Sequence, residues 1–281
     1  MPRSRLPAEQ ASLVDAWFPR AEVVADLSWG LVDTVVLHLR VPHVGDVVVK
    51  AGGDENTHLR REITAYESGV LAPLRERAPR LLRADRASRV LAVGFLPGVL
   101  VASDPSLADD PEVHRQAGVL LGHLHRRPPV VDDTWERRQD DRALAWLDRP
   151  HRIDPARTTR LRDLLSGNHY PPSALVPTHG DWQPRNWLWH DGRLFVIDLG
   201  RFEPRPAQTD LARLAHQHWR RHPDLEAAFV DGYGGDPRDP VTWPMVRLRE
   251  AVGTACYAFA VGDEDFEAQG LRMVEEALAV F

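Results

Sequence analysis

The sequence predicts a bilobal α+β fold, with a small N-terminal lobe built on a β-sheet and a larger lobe that is mainly helical. Residues 1–96 contain several short runs rich in β-branched residues, which are typical of strands. Residues 97–281 carry mostly amphipathic patterns of helical period. Leu96-Pro97-Gly98 is a breaker sequence suited to a connector. We therefore predict domains over 1–96 and 97–281, with a hinge at about 94–98.

The first lobe combines strands with two helices. The longer helix is predicted because Leu59, Ile63, Tyr66 and Val70 recur on one helical face. The predicted elements are a short helix at 6–18, strands at 21–28, 34–41 and 46–51, a helix at 55–74, and strands at 81–82 and 89–95.

The second lobe shows strand patterns in only two places, a run at 174–177 and a hairpin at 186–198. The hairpin is predicted from two apolar-rich runs split by Asp191-Gly192, a dipeptide that favours tight turns. The predicted helices lie at 111–125, 134–147, 155–166, 206–219, 224–233, 241–261 and 264–281.

Composition excludes several classes of protein. A net charge of −6 argues against nucleic-acid binding, which requires a basic face. No apolar run approaches the roughly 20 residues of a membrane span, and no secretory signal is recognisable, so we expect a cytoplasmic protein. The single cysteine excludes an internal disulfide and a cysteine-cluster metal site. A monomer and a homodimer are both compatible with the sequence.

Charge is distributed unevenly along the chain. Residues 1–96 have a net charge of +1, whereas residues 97–281 have a net charge of −7. Two interpretations remain open, because acidic residues commonly form solvated helix faces but can also attract a cationic substrate.

Lys50 stands out because arginine outnumbers lysine 34 to 1 and Lys50 is that single lysine. It follows three valines at the end of a predicted strand and precedes a predicted helix that carries Glu62. A compact ammonium fits between two phosphate groups where a broad planar guanidinium would not. We interpret Lys50 as a candidate phosphate-binding residue.

The segment 179–200 carries the most informative pattern. Asp181 is followed five residues later by Asn186, and Asp198 stands at the far end of the predicted hairpin. Because a hairpin folds the chain back on itself, Asn186 and Asp198 are expected at the same end. Phosphoryl transfer from ATP requires a carboxylate to orient a hydroxyl, and oxygen ligands to hold magnesium.

The ordered set Lys50, Glu62, Asp181, Asn186 and Asp198 resembles that of the aminoglycoside phosphotransferase family, a branch of the protein-kinase-like fold. The resemblance covers most of the chain and implies ATP and Mg²⁺ as cofactors. It implies that Asp181 accepts the proton of the acceptor hydroxyl and that Asn186 and Asp198 bind magnesium. It also implies that Lys50 contacts the α- and β-phosphates and that Glu62 orients it.

The remaining nucleotide contacts have a weaker signature. No complete G-x-G-x-x-G sequence is present, and we place Ser28 and Gly30 over the phosphates. The resemblance implies that adenine binds main-chain groups of the hinge near Gly94 and Leu96.

Three positions near these residues are ambiguous. Glu67 competes with Glu62 as the partner of the lysine, but the family's Arg-Glu pairing matches Arg61-Glu62 better. Gln183 and Arg185 depart from the residues common in the family's catalytic loop. Arg185 could contact a phosphate, a nearby carboxylate or solvent.

Other residues of the motif region are expected to be structural. His179 should hold the catalytic loop in shape, and Asp210 should anchor it. Phe202 could fill the volume left by Leu199, which replaces an aromatic residue usual in the family. The remaining grouped histidines are expected on helix surfaces: His123, His125, His216, His218 and His222.

We predict an ATP- and magnesium-dependent O-phosphotransferase that modifies a hydroxyl of a small cationic acceptor. An aminoglycoside or basic peptide antibiotic is the favoured acceptor, which would confer resistance; a metabolic kinase acting on choline, homoserine or a sugar is the alternative. A nucleotide sensor without catalysis is disfavoured, because the catalytic set is intact. Carboxylates that could flank the acceptor are Asp140, Asp141, Asp263, Glu264, Asp265 and Glu267.

Overall fold

The structure is a computed structural model that describes residues 5–28 and 33–281. Its first lobe contains an antiparallel five-stranded sheet in the order β1-β2-β3-β5-β4. The strands are β1 (Glu22–Asp26), β2 (Thr34–Val41), β3 (Gly45–Gly52), β4 (Leu81–Asp85) and β5 (Val90–Gly94).

A helix packs on each face of this sheet, and the alternation of side chains along β3 decides what each face carries. Val49 is buried in the cluster formed with α1 (Ala8–Trp17), whereas Val48 packs in the cluster formed with α2 (Thr57–Glu67). Lys50 lies two residues after Val48 and therefore on the α2 side. Strand periodicity thus directs the single lysine toward the helix that carries its carboxylate partner.

Helix α2 is shorter than the sequence predicts. It begins at Asn56, whose side-chain oxygen accepts the backbone N–H of Leu59 at 2.9 Å. It ends just before Gly69, which adopts a left-handed φ of +68° that a helix cannot continue. Residues Ala72–Arg77 form 3₁₀ turns instead, so the predicted helix over 55–74 is too long at its C-terminal end.

The second lobe is mainly helical and contains two small three-stranded sheets, β10-β9-β6 and β11-β8-β7. Its helices are α3 (Pro105–Ala108), α4 (Pro111–His125), α5 (Trp135–Leu147), α6 (Pro155–Leu165), α7 (Ala212–Gln217), α8 (Pro223–Tyr233), α9 (Trp243–Val261) and α10 (Glu264–Leu278). Its strands are β6 (Val99–Leu100), β7 (Val130–Asp132), β8 (Ser173–Thr178), β9 (Trp187–His190), β10 (Arg193–Val196) and β11 (Glu203–Arg205).

Two apolar cores support this lobe. One joins α4, α8 and the β9–β10 hairpin, and the other joins α5, α6, α9 and α10. Helices α4 and α8 approach closely because glycines face the neighbouring backbone. A Cβ added at Gly118 would lie 2.1 Å from the Phe229 carbonyl oxygen, and one at Gly232 would lie 2.0 Å from the Arg115 carbonyl oxygen.

The predicted fold class is confirmed, as are most of the predicted helices and both predicted strand regions of the second lobe. The short strands β6, β7 and β11 were not predicted, because two or three residues give no readable periodicity. The predicted helix at 206–219 is broken into a 3₁₀ turn over Ala207–Leu211, α7 and a second 3₁₀ turn over Trp219–Arg221. Within the described ranges, no helix is long and apolar enough to cross a membrane.

Candidate active site

The loop that carries Asp181 is held by backbone hydrogen bonds to a buried carboxylate. The amide N–H groups of His179 and Gly180 donate to Asp210 at 2.8 and 2.6 Å. Gly180 has a φ of +78°, and a Cβ there would lie 2.2 Å from the Arg201 carbonyl oxygen. The ring Nε2 of His179 lies 3.0 Å from the Ile197 carbonyl oxygen. The geometry therefore agrees with structural roles for His179 and Asp210.

The carboxylate of Asp210 is in turn contacted by a buried histidine, His125. The Nε2 atom of His125 lies 3.1 Å from Asp210, and its Nδ1 atom lies 2.9 Å from the Tyr233 hydroxyl. Burial alone would raise the pKa of Asp210, but hydrogen bonds from His125 and the His179 amide hold the pKa below its ordinary value. The surface position expected for His125 and His216 is wrong, because both are buried in the helical lobe.

Asp181 receives hydrogen bonds on both carboxylate oxygens. Asn186 Nδ2 and Arg185 Nη2 donate to Oδ2 at 2.9 and 2.7 Å. Gln183 Nε2 and Arg213 Nη1 donate to Oδ1. The side chain of Asp181 is buried, with 6% relative exposure. Arg185 thus contacts the carboxylate of Asp181, which is one of the three orientations that the sequence left open.

The charges around Asp181 keep it ionised. Burial alone would raise the pKa of Asp181, but the guanidinium groups of Arg213, Arg185 and Arg201 hold it far below its ordinary value. A carboxylate of such low basicity is suited to accept a hydrogen bond from a hydroxyl and orient it.

Lys50 lies between two carboxylates at the other side of the site. Its Nζ atom lies 2.8 and 2.9 Å from the two oxygens of Glu62 and 3.6 Å from Asp198 Oδ1. Burial would lower the pKa of Lys50, but the charges of Asp198 and Glu62 outweigh it and raise the pKa, so the ammonium stays protonated. Glu67 instead accepts a hydrogen bond from Arg86 at 2.7 Å. The structure pairs the lysine with Glu62.

The β9–β10 hairpin brings Asn186 and Asp198 to the same end, as the sequence predicts. Trp187 pairs with Val196, and the N–H of Ile197 donates to the Asn186 carbonyl oxygen at 3.0 Å. At the opposite end, Asp191 and Gly192 form the turn with φ values of 46° and 71°. The turn prediction therefore fixed this part of the site correctly.

The oxygen donors at this end fit magnesium. Asn186 points its Nδ2 toward Asp181, which leaves its Oδ1 available to a metal, and the Asp198 side chain is half exposed. The charge of Lys50 lowers the pKa of Asp198, so its carboxylate is ionised at neutral pH and suited to bind a cation. Magnesium in phosphoryl-transfer sites is bound by one or two carboxylates together with substrate phosphates. Within the described ranges, no group of three or more His, Cys, Asp or Glu that could hold a metal is present.

The expected nucleotide-loop and hinge contacts are less defined. The Ser28 hydroxyl accepts the N–H of Val36 at 2.9 Å, which ties it to the end of the first hairpin. Gly30 lies outside the described residues. At the hinge, the N–H of Gly94 donates to the Arg80 carbonyl oxygen at 2.9 Å. Leu96 lies two residues later, and its backbone has no such bond in the described part of the chain.

Two carboxylates expected near the acceptor have other partners. Asp140 is buried and accepts a hydrogen bond from Arg249 Nε at 2.7 Å. Glu267 is buried and pairs with Arg152 at 3.0 Å. Asp140 in α5 and Glu267 in α10 are therefore buried carboxylates with arginine partners and not surface charges.

Phe202 packs in the same cluster as Leu199, in agreement with the suggestion that it fills the volume left by the missing aromatic residue. Leu199 and Phe202 are both buried in one small cluster with Ala65 and Val70. This cluster connects α2 to the segment that follows Asp198.

Arg201 and Arg213 are the residues near Asp181 that sequence reasoning missed. No local signal distinguishes them, because 34 arginines are scattered along the chain. The one available indication was the expected role of Asp210 as an anchor of the catalytic loop. Arg213 follows Asp210 by three residues, so it too would be expected near that loop.

The fold and the site together define a kinase-type phosphotransferase. The sequence matches the model of the phosphotransferase enzyme family, designated APH, over residues 29–247. The chain therefore belongs to this family, whose members transfer phosphoryl groups.

Solved structures share the fold at low sequence identity. Choline kinase LicA from Streptococcus pneumoniae is 14% identical, with a TM-score of 0.69 over 97% of this chain and 98% of that one. The gentamicin–APH(2")-IIa complex is 14% identical, with a TM-score of 0.65 over 96% of each chain. A mutant of aminoglycoside phosphotransferase APH(4)-Ia, in a ternary complex with ADP and hygromycin B, is 14% identical, with a TM-score of 0.69 over 95% of this chain and 97% of that one. No curated protein sequence matches the chain significantly.

Proposed function

We propose that the protein transfers the γ-phosphoryl group of ATP, with Mg²⁺, to a hydroxyl of a small-molecule acceptor. The hydrogen bond from Asn186 to Asp181 carries this proposal, because it joins a candidate metal ligand directly to the candidate catalytic carboxylate. The ammonium of Lys50, paired with Glu62, supplies the phosphate-binding cation. Solved structures of this fold contain ADP or GDP, which supports nucleotide use.

Different residues bind the nucleotide phosphates, bind the metal and orient the acceptor hydroxyl. Lys50 contacts the nucleotide phosphates, and Asn186 and Asp198 would hold magnesium, which neutralises charge on the phosphates when bound. Asp181 accepts a hydrogen bond from the acceptor hydroxyl and aims its oxygen at the γ-phosphorus. The new oxygen–phosphorus bond forms as the bond to the leaving ADP breaks, and the hydroxyl proton passes to Asp181 and then to solvent.

Two classes of acceptor remain candidates. Related folds include a choline kinase and complexes with gentamicin and hygromycin B, so the fold alone does not choose between metabolic alcohols and antibiotics. The guanidinium groups that contact Asp181 favour a metabolic alcohol without a positive charge, such as a sugar, because they repel a cation at the reacting hydroxyl. The net charge of −7 over residues 97–281 supports a cationic antibiotic as the second candidate.

Phosphoryl transfer can be tested directly. The protein is incubated with ATP and magnesium and a panel of metabolic alcohols, aminoglycosides and basic peptide antibiotics, beside an Asp181→Ala control. Mass spectrometry should detect a phosphorylated acceptor with wild type and none with the variant. Nucleotide binding without transfer to any acceptor would contradict the proposal, and transfer confined to the antibiotics would select the second candidate.

A further inference from the structure

The catalytic carboxylate has no oxygen free for a substrate. Four side chains donate to Asp181, two to each oxygen, and two of the four are guanidinium groups. An acceptor hydroxyl can donate to Asp181 only after one of these donors moves away. Since Asn186 is also bound to the Asp181 main chain at 2.8 Å, it is held from two sides and is the donor least suited to move.

Arg213 is the donor whose departure most requires a replacement partner. Its Nε atom donates to Glu250 at 2.8 Å, and its Nη1 atom donates to Asp181. A buried guanidinium that loses a carboxylate partner is strongly destabilised unless another anion takes its place. The movement that frees Asp181 is therefore favourable when the acceptor itself supplies that anion.

A further arginine, Arg201, lies close enough to interact with the charges of Arg213 and Asp181. The side chain of Arg201 makes no hydrogen bond or ion pair within residues 5–28 and 33–281, although it is partly buried. The charges acting on it are those of Arg213, Arg185, Asp181 and Glu250. Among the described residues, this group contains three guanidinium groups and two carboxylates, so its net charge is positive.

We propose that the acceptor carries an oxyanion, a carboxylate or a phosphate, close to its reacting hydroxyl, and that Arg201 and Arg213 bind it. The oxyanion replaces Asp181 as the partner of Arg213 and releases one Asp181 oxygen for the hydroxyl. Binding of the acceptor thereby leaves one oxygen of Asp181 free to accept the hydroxyl hydrogen bond. A water molecule is neutral, so it cannot replace Asp181 as the partner of Arg213 and does not release this oxygen. The inference rests on the proposed phosphotransferase function and narrows its substrate class.

The test compares acceptors that differ in one charged group. Glycerate and glycerol phosphate are paired with glycerol, homoserine is paired with its methyl ester, and choline and gentamicin serve as cationic probes. Phosphorylation is followed with ATP and magnesium, and binding of each probe to the nucleotide-loaded enzyme is followed by calorimetry. The variants are Arg201→Gln, Arg201→Lys and, as a matched control, Arg157→Gln on the exposed face of α6.

The expected result is a preference in kcat/KM of about tenfold or more for an anionic probe over its uncharged counterpart, the effect of one charge-assisted hydrogen bond. Arg201→Gln should remove this preference and leave the KM for ATP unchanged. Arg201→Lys should restore part of it, because it keeps the charge but not the planar fork. Arg157→Gln should behave as wild type.

Other results overturn the inference. A preference for neutral or cationic probes contradicts it while leaving phosphotransfer intact. So does an Arg201→Gln effect on the KM for ATP instead of the acceptor, which would assign Arg201 to the nucleotide. Failure of every anionic probe to bind or react also contradicts it. Failure of ATP itself to bind would instead contradict the proposed function.

Discussion

The nucleotide side and the acceptor side of the proposed active site carry opposite arrangements of charge. On the nucleotide side, one cation, Lys50, lies between two carboxylates, Glu62 and Asp198. On the acceptor side, one carboxylate, Asp181, receives hydrogen bonds from two guanidinium groups, those of Arg185 and Arg213. The first arrangement keeps the ammonium of Lys50 protonated, as the proposed phosphate-binding role requires. The second is closed, and it has to rearrange before an acceptor can react.

This difference suggests that separate residues determine the reaction and the choice of substrate. On the nucleotide side, Lys50, Glu62 and Asp198 all belong to the set that resembles the family, and we assign them to the reaction. On the acceptor side, Asp181 belongs to that set, but Arg201 and Arg213 do not, and we assign these arginines to substrate choice. Variants on the two sides should therefore affect different kinetic constants.

The largest expected effect comes from removing the carboxylate on which the acceptor side is centred. Asp181→Asn keeps the size and the buried position of the side chain but removes its charge. We expect kcat to fall by about 10²–10⁴-fold, the contribution typical of a positioned acid or base. ATP binding, measured by calorimetry, should persist. A variant that retains most of its kcat would exclude Asp181 as the catalytic carboxylate.

A smaller effect is expected from changing the cation of the nucleotide side while keeping its charge. Lys50→Arg places a broad guanidinium in a space that holds an ammonium between Glu62 and Asp198. We expect kcat/KM for ATP to fall by about tenfold to hundredfold, the value of one or two charge-assisted hydrogen bonds. Arg40→Lys, on an exposed residue, is the control. Equal activity of both variants would contradict the assignment of Lys50 to the phosphates.

Asp210 supports the acceptor side without contacting it. Asp210→Asn weakens its bonds to the His179 and Gly180 amides, and we expect the free energy of unfolding to fall by about 1–3 kcal/mol at neutral pH. The folded state lowers the pKa of Asp210, so its stabilisation is present above the ordinary value of about 4 and is lost as pH falls through the folded pKa. Denaturant titrations should show the difference between wild type and variant shrinking toward pH 3. A difference that grows in acid would contradict the assigned ionisation.

The smallest effect on activity is expected far from either side, in the packing of α4 on α8. Gly118→Ala places a Cβ 2.1 Å from the Phe229 carbonyl oxygen, so the helices must separate. We expect the free energy of unfolding to fall by about 1–3 kcal/mol, as overpacking usually causes, with an unchanged KM for ATP. Gly253→Ala in α9 is the matched control, because nothing lies within 4 Å of the added Cβ. It should stabilise slightly, and equal destabilisation of both would contradict the close helix approach.

The sequence predicts the parts of the molecule that local patterns determine. Strand alternation places Lys50 on the α2 side, and the Asp191-Gly192 turn places Asn186 near Asp198. Tertiary contacts decide the rest. The 3₁₀ turn over Ala207–Leu211 forms where Asp210 binds the catalytic loop, which no helical period reveals.

The acceptor side was hardest to predict for the same reason. Asp181 is contacted by Arg213, which is 32 residues away in sequence, and this contact depends on how α7 packs. Arg213 is one of 34 arginines in the chain, so its residue type alone does not mark it as part of the site. The sequence therefore predicted a cationic acceptor from the net charge of a whole lobe, whereas the local charge beside Asp181 is positive.

The division between the two sides is tested most directly by a crossover of two variants. Glu62→Gln and Arg201→Gln are compared with wild type, and the KM for ATP and the kcat/KM for the best acceptor of the paired panel are measured for each. We predict that Glu62→Gln raises the KM for ATP and leaves the preference between anionic and uncharged acceptors unchanged, whereas Arg201→Gln removes that preference with the KM for ATP unchanged. If both variants change the KM for ATP alike and neither alters acceptor preference, the two sides do not have separate functions.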